Sequence, residues 1–242
     1  MASTPVFTPP KAVLFDAYGT LFDVYSVAAL AEQLFPGQGK AISLLWRDKQ
    51  IDYTRLVTTS ANTQGEAGAH YQPFWDLTRA ALRYACAALQ LDLSEAAESQ
   101  LMNQYRALAA FPENKATLRE LKARGIPTGI LSNGDPEMLG IAVRSAGLGE
   151  YLDHVISADA VRLYKTHPKV YALGPQALGL AAKEILFVSS NGWDALGATW
   201  FGFQTLWINR AGLPLEALQP APTRVGSSLR DVLSFFPNPQ GV

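Results

Sequence analysis

The residue best placed to do chemistry is an aspartate at the end of the first apolar segment. Residues 13–15 form a short apolar run that ends in Asp16, and Gly19 and Thr20 follow it closely. A carboxylate at the carboxyl end of a parallel strand lies where open α/β sheets bind their ligands. Such an aspartate can act as a nucleophile through a covalent ester. The spacing Asp-x-x-Gly is also typical of ordinary turns, so this segment alone leaves a purely structural role open.

Two later apolar segments also end in small polar residues. They are followed by Ser132, Asn133 and Gly134, and by Ser189, Ser190 and Asn191 with Asp194 one helical turn later. Each set alone is typical of helix N-caps, but the carboxyl ends of parallel strands converge on one crevice. Lys165 follows Tyr164 in a loop between them and is either part of this crevice or an ordinary surface lysine. The pattern favours a single site.

The elements that must position these residues change character along the chain. A strand is predicted at 11–15, and residues 25–106 are predicted to be almost entirely helical, because apolar residues recur at helical spacing. A glycine-bearing loop interrupts this region at 58–72. Beyond residue 108, strands at 126–131, 155–157, 184–188 and 204–208 alternate with helices at 113–124, from 136, at 168–178 and at 193–201. Alternation of this kind indicates a parallel sheet with helices on both faces.

We therefore predict an α/β fold with a doubly wound, Rossmann-like parallel core and an all-helical cap domain inserted after the first strand. The core domain is expected at 11–24 and 107–236 and the cap at 25–106. Residues 1–10 and 237–242 are expected to be tails.

Composition excludes several classes of function. The 242 residues are 48% hydrophobic and 17% charged, with a net charge of −1, which is typical of a soluble globular protein and disfavours nucleic-acid or membrane-surface partners. The single cysteine, Cys86, can form neither an internal disulfide nor a zinc site by itself and is expected to be buried. No targeting or membrane-spanning segment is evident, so we expect a cytoplasmic location.

Two familiar kinds of hydrolase are also disfavoured. His70, His154 and His167 lie outside the polar strand ends, which argues against a Ser-His-Asp hydrolase. No phosphate-binding loop of the GxxxxGK[ST] type occurs, which argues against nucleotide hydrolysis.

Four segments in order carry a family resemblance. Residues 15–23, 131–134, 164–165 and 188–194 together resemble the motifs of the haloacid dehalogenase (HAD-like) hydrolase superfamily, and more narrowly those of the type II L-2-haloacid dehalogenases. The likeness extends from about residue 11 to residue 236. It implies the HAD-like core fold, an aspartate nucleophile and a homodimer.

The resemblance favours a dehalogenase over a phosphatase of the same superfamily. Phosphatases carry a second aspartate two positions after the nucleophile, where this chain has Tyr18. Their last motif supplies further acids for magnesium, whereas here Ser189, Ser190 and Asn191 leave only Asp194. A hard divalent cation needs several anionic oxygen ligands. The resemblance thus implies an enzyme with no metal and no organic cofactor.

The implied reaction is hydrolytic dehalogenation of short L-2-haloalkanoic acids to D-2-hydroxyacids. Asp16 attacks the α-carbon with inversion and forms an ester, halide departs, and water hydrolyses the ester. Lys165 offsets the repulsion between Asp16 and the anionic substrate. Arg47 in the helical insert receives the halide together with Asn133, unless Arg47 forms a surface ion pair with Asp48 or Asp52.

The remaining roles also follow from the resemblance. Ser132 holds the substrate carboxylate, and Thr20 orients Asp16. Ser189, Asn191 and Asp194 position Lys165 and the hydrolytic water. The apolar wall around the alkyl group is formed by Tyr18, Phe74 and Trp193, and Tyr171 lies near the site; for Phe74 and Tyr171, plain core packing is an equal alternative.

Three departures from the family pattern stand out. Asp48 follows the cap arginine in place of an amide, Pro168 comes three residues after Lys165, and the 58–72 loop is long. The rival interpretations are a magnesium-dependent phosphatase, a related hydrolase that opens a strained cyclic carboxylic acid, and a non-catalytic binding protein. The preferred halide and chain length, and the use of fluoroacetate, are left open.

Overall fold

A parallel sheet forms the centre of the molecule. The computed structural model describes residues 8–236, so the predicted tail 237–242 and most of the tail 1–10 lie outside the described residues. Within them the sheet has six strands: β1 (Ala12–Phe15), β2 (Thr128–Ser132), β3 (His154–Ser157), β4 (Ile185–Ser189), β5 (Gln204–Ile208) and β6 (Arg224–Gly226). Their spatial order is β3-β2-β1-β4-β5-β6, and every neighbouring pair is parallel. The predicted doubly wound fold is confirmed.

The central strands are buried on both faces. Every residue of β1, β2 and β4 is buried, as parallel strands covered by helices on both sides require. Strand β6 was not predicted, because its three residues are only partly covered and lie at the sheet edge, where no apolar run marks them.

Helices cover the sheet and fill the long connection after β1. This connection contains α1 (Ala28–Leu34), α2 (Gly39–Thr59), α3 (Phe74–Ala88) and α4 (Glu95–Arg106). The sheet itself is flanked by α5 (Asn114–Ala123), α6 (Pro136–Ser145), α7 (Pro168–Leu178) and α8 (Gly192–Phe201). Helix α2 continues to Thr59, so the loop begins at residue 60, two residues later than the predicted start at 58. No helix within residues 8–236 is both long and apolar enough to cross a membrane.

Helices α2 and α3 pack on each other through amphipathic faces. Ile42 and Trp46 of α2 and Leu82 of α3 are fully buried. The Trp46 indole Nε1 donates to the Thr78 carbonyl at 2.8 Å, which satisfies the one polar atom of a large buried ring. Cys86, on the same helix as Thr78, is buried as expected, and burial raises the pKa of its thiol to about 11.

The topology also decides where a site can form. Strands β1 and β4 are neighbours at the centre of the sheet, and the strand order reverses direction between them. In open α/β sheets the crevice outside the carboxyl ends at such a switch point is where ligands bind. Asp16 follows β1 and residues 190–191 follow β4, so both sets of polar residues lie at this point.

Candidate active site

Three hydrogen-bond donors converge on the buried Asp16 carboxylate. Thr20 Oγ1 donates to Oδ2 at 2.9 Å, Asn191 Nδ2 donates to Oδ2 at 2.8 Å, and Lys165 Nζ donates to Oδ1 at 3.0 Å. Gly19 has a φ of +96°, a conformation that glycine adopts without strain, and the turn it makes brings Thr20 back towards Asp16. Such a carboxylate is held in one orientation.

Lys165 connects two buried carboxylates. Its ammonium lies 3.0 Å from Asp16 Oδ1 and 2.9 Å from Asp194 Oδ2, and only 1% of the side chain is exposed. Burial alone would lower the pKa of this lysine, but the charges of Asp16 and Asp194 outweigh it and raise the pKa above the usual value. Lys165 is therefore a charged ammonium at neutral pH.

Asp194 is the most buried acid of the group. Its side chain is fully inaccessible, and burial, aided by the charge of Asp16, raises its pKa to about 6 although Lys165 acts in the opposite direction. Tyr171 donates its hydroxyl to Asp194 Oδ1 at 2.8 Å. Asp194 thus stays ionised at neutral pH and becomes protonated in mild acid.

Arg47 extends from α2 to the strand ends. Its Nη2 donates to the Tyr18 carbonyl at 3.0 Å and to Asn191 Oδ1 at 3.1 Å, and its Nη1 donates to Gln50 Oε1 at 2.8 Å. Arg47 is buried, with only 8% of the residue exposed. The predicted alternative, a surface ion pair, is not what the structure shows.

The two acids considered as partners of Arg47 lie elsewhere. Asp48 is exposed, and Asp52 pairs instead with Lys49 at 2.6 Å. Arg47 is therefore one wall of the site and forms no salt bridge with a carboxylate among the described residues.

A small closed cavity lies between the helical insert and the strand ends. It has a volume of about 10 Å³, room for roughly one water molecule. The predicted site residues that line it are Asp16, Tyr18, Arg47, Phe74, Ser132, Asn133, Asn191 and Trp193. Eight residues from separate parts of the sequence are therefore brought together.

The other predicted site residues lie behind this first layer. Thr20 and Lys165 reach Asp16 without lining the cavity, and Ser189 Oγ accepts the Asn191 N–H at 3.1 Å. Tyr171 is fully buried on the far side of Asp194, so it does not form part of the cavity wall. The substrate contact expected of Tyr171 is therefore replaced by a hydrogen bond to Asp194.

Asn133 and Ser132 are held by backbone contacts. Asn133 Oδ1 accepts the Lys165 N–H at 2.9 Å, which directs the Asn133 side chain and fixes the start of the Lys165 loop. Ser132 Oγ accepts the Gly134 N–H at 3.1 Å. The hydroxyl proton of Ser132 stays free to be donated to a bound anion.

Sequence reasoning missed several residues of α2. Ile51 and Thr54 line the cavity, and Gln50 accepts from both Arg47 and Tyr105, the latter at 3.0 Å. Arg47, Gln50 and Thr54 recur every three or four residues, so a polar stripe on an otherwise apolar helix face was a signal that could have found them.

Tyr18 occupies the position two residues after Asp16, where phosphatases of the superfamily carry a second aspartate. Its ring packs against Phe74 and Tyr105 at centroid distances of 5.5 and 5.8 Å, and burial raises the pKa of its hydroxyl far above the usual value. Within residues 8–236 no cluster of three His, Cys, Asp or Glu side chains forms a metal-binding set.

Known proteins are similar to this chain in sequence and in fold. A model of the haloacid dehalogenase-like hydrolase family matches residues 10–202. The (S)-2-haloacid dehalogenase of Pseudomonas sp. (strain YL) is 46% identical over 96% of this chain and 96% of its own. A crystal structure of an L-2-haloacid dehalogenase superimposes with a TM-score of 0.90 at 62% identity, covering 94% of this chain and 99% of the other.

A further structure shows a bound organic acid. The L-2-haloacid dehalogenase of Xanthobacter autotrophicus with covalently bound chloropropionic acid superimposes with a TM-score of 0.82 at 37% identity, covering 92% of this chain and 96% of the other. With this fold, this set of residues at the switch point and this degree of identity, the chain belongs to the L-2-haloacid dehalogenases of the haloacid dehalogenase-like hydrolase family.

Proposed function

We propose that this protein is an (S)-2-haloacid dehalogenase that converts short L-2-haloalkanoic acids to D-2-hydroxyacids. The observation that carries the proposal is the Asp16 carboxylate, held by three donors at the closed cavity with Lys165 Nζ 3.0 Å away. The relatives' substrates and the covalent complex of the Xanthobacter autotrophicus enzyme support the same chemistry.

In the first step one oxygen of Asp16 attacks the α-carbon from the side opposite the halogen. A carbon–oxygen bond forms, the carbon–halogen bond breaks, and the halide leaves with the bonding electron pair, so the configuration inverts. The attack brings a carboxylate towards an anionic substrate, and at ~4 Å two such charges repel by about 4 kcal/mol at an effective dielectric near 20. Lys165 supplies the opposing charge.

Arg47 and Asn133 are suited to receive the leaving halide, because both line the cavity and both offer N–H donors. Ser132, whose hydroxyl proton is free, is suited to hold the substrate carboxylate. Tyr18, Phe74 and Trp193 supply the apolar surface for the alkyl group.

In the second step water attacks the carbonyl carbon of the Asp16 ester. The ester C–O bond breaks, the hydroxyacid leaves with an oxygen that came from Asp16, and Asp16 regains an oxygen from water. The proton that the water loses ends on the oxygen of the departing hydroxyacid. Asp194, whose side chain is fully buried, holds Lys165 Nζ at 2.9 Å and so keeps this ammonium beside the Asp16 ester. Ser189 and Asn191 hold the loop that carries these groups.

The proposal includes metal independence. Lys165 Nζ occupies the space between Asp16 and Asp194, where a metal ion shared by the two carboxylates would have to lie. An ammonium there performs the electrostatic role of a cation, and Tyr18 contributes no further carboxylate.

We further propose the domain division and the assembly expected from the sequence. Residues 25–106 act as a cap over the strand ends, and Arg47 and Phe74 of this segment line the cavity at Asp16. The exposed apolar side chains Leu44, Leu56 and Tyr84 of this segment support a homodimer. A cytoplasmic location remains part of the proposal.

The test is halide release from L- and D-2-chloropropionate in EDTA. We expect release from the L form alone, none from Asp16→Asn, and wild-type rates from the matched surface variant Asp52→Asn. In a single turnover in ¹⁸O-labelled water, the label should enter Asp16 and not the hydroxyacid. Label in the first-turnover product would refute the ester, and phosphate release that requires magnesium would favour the phosphatase.

A further inference from the structure

Arg210 lies outside all four motifs, yet its guanidinium joins the loops that form the site. It follows β5, and its Nη1 donates to Ser190 Oγ at 2.7 Å. The same group donates to the main-chain carbonyls of Thr20 at 3.2 Å and Gly19 at 3.4 Å. One side chain thus ties the loops after β1 and β4 to the loop after β5.

The guanidinium is itself held firmly. Its Nη2 lies 2.9 Å from Glu113 Oε1 just before α5, and its centre lies 3.8 Å from the centre of the Phe111 ring. Partial burial opposes ionisation of Glu113, but the hydrogen bond and charge of Arg210 together with backbone N–H donors outweigh it and lower the pKa of Glu113, so the ion pair persists at neutral pH. A planar group with an acid on one edge and a ring on one face has little freedom to turn.

A short relay leads from this group to Asp16. The Ser190 N–H donates to Thr20 Oγ1 at 2.8 Å. Because Thr20 Oγ1 accepts that hydrogen bond, its own proton is directed at Asp16 Oδ2, 2.9 Å away. Arg210 donates to the Ser190 hydroxyl and to the Thr20 carbonyl. It therefore holds both residues of the hydrogen bond between the Ser190 N–H and Thr20 Oγ1.

We propose that Arg210 is a positioning residue for the displacement step, acting on Asp16 through Ser190 and Thr20. The inference rests on the proposed function, in which Asp16 is the nucleophile. Arg210 does not line the small cavity at Asp16; it lines a neighbouring cavity of about 500 Å³ that shares Arg47, Asn191 and Trp193 with the site. It sets the orientation of the Asp16 carboxylate. The displacement requires this orientation, because the attacking oxygen must lie in line with the carbon–halogen bond.

The test compares Arg210→Lys and Arg210→Ala with a matched pair at Arg124. A lysine can still pair with Glu113, but its single nitrogen cannot hold Ser190 and Thr20 together. We expect kcat for L-2-chloropropionate to fall about 10- to 100-fold, the effect of one misdirected hydrogen bond to a charged group, with KM little changed. Guanidinium ions should restore part of the activity of Arg210→Ala.

Arg124 is the control because its surroundings are similar. Its side chain is 22% exposed against 21% for Arg210, it pairs with Glu120, and it donates to the Phe236 carbonyl away from the site. Arg124→Lys and Arg124→Ala should leave kcat unchanged. If they lower kcat as much as the Arg210 variants do, the role of Arg210 is a general structural one and the inference is wrong.

A double-mutant cycle with Thr20→Val decides the route. If Arg210 acts through Thr20, Arg210→Lys lowers kcat little further in the Thr20→Val background. If instead the two substitutions lower kcat independently, with additive effects on the activation free energy, the proposed route through Thr20 is wrong. A KM increase at constant kcat overturns it as well. If Arg210→Ala does not fold, the cycle with Arg210→Lys still decides. Wild-type protein that releases no halide would refute the proposed function itself, independently of the cycle.

Discussion

Replacing Lys165 by methionine removes the cation that lies between two buried carboxylates. Methionine has a similar length and keeps the contact with the apolar surroundings, which include the Phe187 ring 4.8 Å from Nζ. The change therefore isolates the charge. In the proposed mechanism, that charge offsets the approach of an anionic substrate to Asp16.

The size of the effect follows from the geometry. The uncompensated repulsion at ~4 Å is about 4 kcal/mol at an effective dielectric near 20, and each ~1.36 kcal/mol corresponds to a tenfold rate change. We therefore expect kcat/KM to fall by about a thousandfold. Loss of one partner of a buried ion pair also costs about 3–5 kcal/mol of folding free energy.

The stability loss should depend on pH in a definite direction. Without Lys165, the pKa of Asp194 rises above its value of about 6, because the positive charge that lowers it is gone. Acidification then protonates Asp194 and relieves the repulsion with Asp16, so the variant should be less destabilised near pH 5 than near pH 8. Thermal unfolding at both pH values measures this.

The assay is chloride release from L-2-chloropropionate with folding checked by circular dichroism. Lys49→Met is the matched control, since Lys49 also pairs with an aspartate at 2.6 Å but on the surface, and it should retain full activity. A folded Lys165→Met variant that keeps more than about a tenth of wild-type kcat/KM would refute the reasoning. The charge of Lys165 would then lower the activation free energy by less than ~1.4 kcal/mol.

Three further predictions concern the same network. Because Asp194 holds Lys165 and has a pKa of about 6, kcat should fall as the pH is lowered through that value, and a kcat profile flat to about pH 5 would contradict its role. Tyr171→Phe removes a hydrogen bond of 2.8 Å that lowers the pKa of Asp194, so the fall in activity on acidification should occur at higher pH. An unchanged midpoint of the pH profile would show that this hydrogen bond does not matter. Arg47→Lys cannot hold Tyr18, Asn191 and Gln50 together, so halide release should slow about 10- to 100-fold, and a loss of less than about threefold would argue against the predicted halide site.

Element boundaries were predictable wherever local signals are strong. Helix α7 begins at Pro168 and ends before Gly179, which has a φ of +65°, as the sequence predicts. Strand β5 was predicted with the bounds it has. Strand β6 was missed, since three partly covered residues at a sheet edge carry no periodic pattern.

The site was predictable where the family resemblance pointed to it. Asp16 and Lys165 stand in the motifs, and Arg47 was assigned by the same resemblance. Gln50 and Arg210 were not, because their importance lies in partners distant in sequence: Arg210 contacts Thr20 and Glu113, which are separated from it by 190 and 97 positions. Gln50 stands in the polar stripe of α2, but nothing in the local pattern of Arg210 shows such a contact.

The amino-acid sequence by itself determined the order of strands and helices, the placement of polar residues at strand ends and the identity of the nucleophile candidate. These depend on local propensity, periodicity and motif. The tertiary structure decided that Lys165 lies between two acids, that Tyr171 supports Asp194 instead of facing the cavity, and that Arg47 is buried without a carboxylate partner among the described residues. Hydrogen bonds and pKa values depend on distances of a few ångströms between side chains, and only the packing of helices on the sheet sets those distances.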